Sequence, residues 1–187
     1  MMVGRALALA LLSMALLTSG IARADTDPLA YDDPGMHFRP PDGWQRVQFA
    51  ESSDASPSGP HPVAAWVLQS KKMDQRQIII TVEPFDGSLG NFESSHESDL
   101  RNEGKDQSLF VDKKEMTTLA NGMPAYFMRV NQGNAAGQFV RSYQYIVIDK
   151  QRGIVVAYSG RAGQFDDKEA KAAMASLYVV VYPKQLH

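Results

Sequence analysis

The sequence predicts an α+β fold: an antiparallel β-sheet flanked by helices on both faces, an α/β/α sandwich. Three observations point there. From residue 36 onward, short apolar runs alternate with Gly, Pro and Asn turn signals, the pattern of strands joined by tight turns. Two stretches switch to helical spacing, Leu89/Phe92/His96/Leu100 and Ala170/Ala173/Met174/Leu177. The unbroken Ile78-Ile79-Ile80 implies a central strand covered on both sides. An amphipathic helix must bury its apolar stripe, and a sheet offers the surface.

The chain starts with a leader pattern. Arg5 is a short positive region, residues 6–17 are apolar, and Ala22-Arg23-Ala24 has the A-x-A form of a cleavage site. The apolar run is shorter than the ~20 residues a membrane span needs. No twin arginine precedes it, so the expected route is general secretion to the periplasm or beyond. The expected division is a signal peptide at 1–24, a flexible N-terminal arm at 25–35 and one domain at 36–187. Without Arg5 and Arg23, 17 basic residues face 21 acidic ones. That balance argues against a nucleic-acid or anionic-membrane binder. The chain has no cysteine, which excludes disulfides, thiolate metal sites and a lipid-modified cysteine.

The elements follow in order. Met36-His37-Phe38 reads as a short strand. In "FRPPDGW" (38–44), Pro41 suits position i+1 of a turn and Gly43 suits its exit, so Trp44 to Val47 returns as a second strand. Trp44 is then a large apolar plug where that turn folds back. "ESSDASPSGPHP" (51–62) is a loop. "VAAWVLQ" (63–69) and "QIIITV" (77–82) form an apolar hairpin with the charged tip 71–76. Residues 88–102 form a helix capped by Ser88 or Asn91 and ended by Gly104.

A meander follows. Residues 109–118 are a strand, and Asn121-Gly122 is a two-residue hairpin signal whose members both tolerate the left-handed conformation. "PAYFMRVN" (124–131) returns, 133–137 turns, and "QFVRSYQYIVID" (138–149) is a long strand. Lys150 to Gly153 turns once more, and 154–159 pairs back. In the last helix Asp166 and Glu169 form a capping-box variant, with Phe165 as a staple. "LYVVVY" runs on as a closing extended segment.

"MHFRPPDGW", the apolar hairpin, the mid-chain helix, "ANGMPAYFMRV" and "FDDKEAKAAMASLYV" together resemble the PsbP-like family over residues 36–182. That family takes in the extrinsic PsbP subunit of photosystem II, a yeast Ran-binding protein and bacterial exported proteins such as DcrB. The resemblance implies an α/β/α sandwich around an antiparallel sheet. It also implies a binding or accessory role rather than catalysis, without a partner, because members serve different ones. Phe38, Pro41, Gly43, Trp44 and Gly122 are scaffold positions in it.

The search for chemistry yields two constellations. Glu93, His96, Glu97 and Asp99 stand at i,i+3 and i,i+4 spacings on the mid-chain helix, so Glu93, His96 and Glu97 could share a face toward a metal ion. No fourth ligand or second shell is visible, and a solvated acidic helix face accounts for the same residues. His61 and His187 are expected to be solvated, and His37 to face away from Met36 and Phe38. On the meander, Arg141, Tyr143 and Tyr145 share one face by two-residue periodicity, with Arg129 and Arg161 nearby. Arginine and tyrosine are enriched at interfaces; the competing account packs the tyrosines beneath a helix with their hydroxyls at its edge.

No G-x-S-x-G, Walker pattern or paired carboxylates mark a catalytic centre. The expectation is an exported, soluble, non-catalytic binding or accessory protein of the cell envelope, without a cofactor. It would take an envelope protein partner, no nucleic acid, and would not insert in the membrane after leader removal. The alternative is a small-ligand or metal carrier, and the third reading is a hydrolase with a dispersed site.

Overall fold

The computed structural model describes residues 30–33, 36–47, 59–69, 75–103, 109–133 and 139–179. The leader, the Ser/Pro loop at 51–58, the hairpin tip at 70–74, Gly104, the turn at 134–138 and the end of the chain from 180 lie outside them.

Among the described residues, ten strands and two α-helices follow in the order β1 (Tyr31–Asp33), β2 (Met36–Phe38), β3 (Gln45–Val47), β4 (His61–Gln69), β5 (Gln75–Pro84), α1 (Leu89–Glu103), β6 (Leu109–Thr118), β7 (Pro124–Gly133), β8 (Phe139–Asp149), β9 (Arg152–Arg161), α2 (Asp167–Met174) and β10 (Tyr178–Val179). Seven strands form the main sheet in the order β3-β4-β5-β9-β8-β7-β6, and every pairing is antiparallel. The chain is a mostly-sheet antiparallel fold with two helices. As the triple isoleucine implied, β5 is internal, between β4 and β9. Ile78 and Ile80 are fully buried, while Ile79 is half-buried.

The opening motif works differently from a simple return. β2 does not pair with β3. It joins a small second sheet, β1-β2-β10, with β1 inside the segment read as a loose arm. The turn, with Gly43 at φ 96°, therefore carries the chain from one sheet to the edge of the other. Pairing of β10 with β2 brings Tyr178 opposite His37, so the start and end of the fold meet. Ser176 fastens the same junction: its Oγ donates to the Arg39 carbonyl and accepts from the Arg39 amide, 137 positions away. Trp44 is the expected plug, 5% exposed.

Two turns depart from expectation. Only Gly122 is left-handed at the Asn121-Gly122 hairpin, φ 82°. Its amide donates to the Leu119 carbonyl, and the Leu119 amide bonds back to Met123. Three residues bridge the strands, a turn closed by a glycine bulge rather than a two-residue loop. At the next hairpin Lys150 alone takes the positive φ, and Gly153 belongs to β9. A Cβ there would run into the Phe92 ring, so the missing side chain lets α1 approach the sheet.

Alternate residues of β7, β8 and β9 enter two apolar cores, as strand geometry requires. One gathers Phe92 and Leu100 of α1 with Met128, Val130, Ile146 and Val155. The other gathers Ala170, Ala173 and Met174 of α2 with Phe127, Tyr143, Val156, Tyr158, Ile78, Ile80 and Trp44. Ser88 caps α1 by accepting the Asn91 amide. Asp166 caps α2 through the amides of Lys168 and Glu169. The reciprocal half of that box is absent: the Glu169 carboxylate accepts from Tyr158 at 2.9 Å and pairs with Arg76.

Candidate functional site

Helix α1 turns its histidine inward. His96 is 4% exposed and its Nε2 lies 2.8 Å from Gln144 Oε1 on β8. Gln144 in turn donates to Ser142 Oγ at 3.2 Å. With the amide oxygen as acceptor, His96 Nε2 is the donor. Burial lowers the His96 pKa, against the raising influence of Gln144, Asp99 and Glu93, so the ring is neutral at pH 7.

The carboxylates beside it are claimed by a lysine. Lys114 of β6 places Nζ 2.9 Å from Glu93 Oε1 and 2.7 Å from Glu97 Oε2. The Glu93 contact is an ion pair without an aligned hydrogen bond, because Oε1 lacks one. Glu97 also accepts from Arg101 Nε at 2.9 Å. Hydrogen bonds from Lys114 and then Arg101 hold Glu97 down at about 2. The trio read as one metal-facing or solvated face is thus divided: His96 bonds the sheet, and Glu93 and Glu97 grip Lys114. Glu93, 4% exposed, is not solvated. Among the described residues no group of three His, Asp or Glu side chains is placed to hold a metal ion. His61 is half-buried at the start of β4, its Nδ1 3.2 Å from the Gly59 carbonyl, rather than solvated. His37 is half-buried between two buried neighbours, as its parity required.

The meander residues separate into two kinds. Arg129 and Tyr143 are cross-strand partners, as are Asn131 and Arg141, so Arg129, Arg141, Tyr143 and Tyr145 share a face. A bulge between Val111 and Lys113 re-aims Asp112, and Arg129 Nε donates to its Oδ1 at 2.7 Å. Burial alone would raise the Asp112 pKa; hydrogen bonding and charge from Arg129 bring it below the usual range. Tyr143 is 3% exposed and belongs to the core. Its hydroxyl, raised by burial and then by Asp167, bonds Asp167 and Arg129 at the helix edge. Tyr145 is half-buried, its ring 5.6 Å from Phe127.

These rings belong to a continuous aromatic chain. Successive centroids stand 5.0 Å apart from Phe127 to Tyr143, 4.9 Å from Tyr143 to Phe165, 5.3 Å from Phe165 to Tyr158 and 5.9 Å from Tyr158 to Trp44. The tyrosines therefore build the core, and the arginines decide what is offered outward. Arg141 keeps Nε on Asn131 Oδ1 at 2.9 Å and lies 5.8 Å over the Phe165 ring. Arg161 pairs with Val140, so strand parity points it away from the Arg141 stripe. It is exposed and lines a shallow depression with Phe139, Gly163 and Gln164.

Sequence reasoning missed Lys114, Gln144, Phe110 and Phe139. Phe139 has the parity of Arg141, Tyr143 and Tyr145, so periodicity alone could have added it. Lys114, Gln144 and Phe110 become neighbours only through strand pairing and helix docking, which no local spacing records.

No family profile matches the sequence, and no curated protein matches it. In structure, the chain is similar to cyanobacterial PsbP (CyanoP) from Synechocystis sp. PCC 6803, with a TM-score of 0.57, 12% identity, and coverage of 86% of this chain and 98% of that one. It is also similar to LpqN, involved in cell envelope biogenesis of Mycobacterium tuberculosis, with a TM-score of 0.50, 18% identity, and coverage of 80% and 87%. At these identities the likeness concerns the fold.

Proposed function

We propose that this chain, which has a PsbP-like fold, is an exported, non-catalytic accessory protein of the cell envelope. The observation that carries the reading is the likeness over nearly the full length of CyanoP and most of LpqN, the latter tied by its description to envelope biogenesis. The leader pattern at 1–24 supports export, and no described helix is long and apolar enough to cross a membrane. The allocation of alternate β7–β9 side chains to an α1 core and an α2 core supports the sandwich arrangement, with one helix on each face. Arg141 and Arg161, with the aromatics around them, form the partner surface; Arg129, Tyr143 and Tyr145 hold it in register.

Fractionation and cross-linking in the source cell test this. The exported protein should begin at Asp25 by mass, and removal of residues 1–24 should strand it in the cytosol. A photo-reactive residue at Phe139 should capture an envelope protein that a control at exposed Asn121 does not. An uncaptured, monomeric chain at every concentration would overturn the accessory role.

A further inference from the structure

The described residues expose three large hydrophobics, Phe110 (48%), Met116 (64%) and Phe139 (44%). Phe110 and Phe139 stand at one end of the sheet on one face. Phe110 is opposite Asn131, Asn131 is opposite Arg141, and Phe139 precedes Arg141 by one strand repeat. Gly133, opposite Phe139, contributes no side chain, so the row is notched between the two rings. Arg141 occupies the middle, its guanidinium steadied by Asn131 and Phe165.

The charges around this row do not balance. Asp112 pairs with Arg129 and is also stabilised at longer range by the Arg141 charge, and Glu115 pairs with Lys113 at 2.7 Å. Neither Arg141 nor Arg161 makes an ion pair with an acidic side chain among the described residues. Phe139 links the two: it lies beside Arg141 on the strand and shares the depression with Arg161. A guanidinium held in place between exposed rings complements a carboxylate beside apolar side chains. Phe110 lies on β6, the edge strand among the described residues, so its ring stands at the border of the row.

We propose that Phe110, Arg141 and Phe139 form the docking site for a protein segment that presents a carboxylate between aromatic side chains, with Arg161 only at its rim beside Phe139. The assignment rests on the accessory reading and names the chemistry of its partner. Arg141 takes the carboxylate, and the two phenylalanines take the apolar side chains.

The test uses the full exported chain and fluorescein-labelled peptides: one alternating Glu and Phe, one with Lys for Glu, one with Ser for Phe. The Glu–Phe peptide should bind saturably and more weakly as salt rises. The Lys peptide should not bind, and the Ser peptide should bind about tenfold more weakly. Arg141→Gln, Phe110→Ser and Phe139→Ser should each weaken binding about tenfold. Should Arg141→Gln fail to fold, the two exposed-site variants decide. Equal binding of the Lys peptide, or variants that bind as the original does, would overturn the site. So would retention on anionic phospholipid vesicles with no peptide binding. An envelope partner captured at Phe139 but not displaced by the Glu–Phe peptide removes this inference and leaves the accessory role. Peptide binding without any captured partner does the reverse.

Discussion

The two cores of this protein are built on different chemistry. Beneath α2, rings meet rings from Phe127 to Trp44, and the polar atoms stay at the rim: the Tyr143 hydroxyl on Asp167, the Tyr158 hydroxyl on Glu169. Beneath α1 the apolar contribution is thinner, chiefly Phe92 and Leu100, and polar pairs reach the sheet: His96 on Gln144, Glu93 on Lys114. Apolar burial is non-directional and indifferent to pH. A buried polar pair is directional, and it fails if one member is removed or changes charge. The α2 core should therefore respond to lost volume, and the α1 core to lost partners and to acid.

The largest expected effect is on the α2 side. Trp44→Ala should cost about 3–5 kcal/mol by opening a cavity at the end of the aromatic chain, read as a lower denaturant midpoint. An unchanged midpoint would mean that the chain of rings is not a cooperative core. On the α1 side, Gly153→Ala drives a methyl into the Phe92 ring and should cost about 1–3 kcal/mol. Phe92→Leu in the same background should recover part of it. If Gly153→Ala is neutral, α1 is not pressed on β9 as described.

Lys114→Met sharpens the comparison further. It leaves the Glu93 carboxylate buried without its cation, at a cost of about 1–2 kcal/mol, reduced because Lys114 is itself partly exposed. The loss should shrink in the Glu93→Gln background, where only the Glu97 contact remains to be lost. A loss undiminished there would show that Glu93 does not depend on Lys114.

The smallest effect is a slope. His96 in the folded chain has a pKa below its ordinary 6.5, so the unfolded chain binds the proton more readily. Stability is complete above 6.5 and declines as pH falls from 6.5 toward the folded value. Glu97, held at about 2, keeps its charge throughout that window and adds no cooperative loss near neutrality. Denaturant midpoints measured between about pH 5 and 8 should fall on the acid side, and His96→Gln should flatten that fall. Identical slopes in both proteins would show that His96 ionises freely.

Much of this architecture was open to reading along the chain. Strand β6 runs from Leu109 to Thr118 as expected, both helix caps are where Ser88 and Asp166 suggested, and Ala170, Ala173, Met174 and Leu177 are buried together. Each rests on a period or a capping residue within a few positions. The candidate sites were less legible. The i,i+3 and i,i+4 spacing of Glu93, His96 and Glu97 is real, yet spacing does not say which way a helix faces or what sits beneath it.

The sequence by itself determined the alternation of strands, the two helical stripes, the burial of Trp44 and the pairing of aromatic with arginine along β8. These follow from backbone periodicity and side-chain size, properties of one segment at a time. Only the tertiary structure decided that His96 meets Gln144 across 48 positions, that Lys114 divides the acidic face, and that Phe110 joins Phe139 around Arg141. Those outcomes depend on register between distant strands, and register is set by how all the buried faces fit at once.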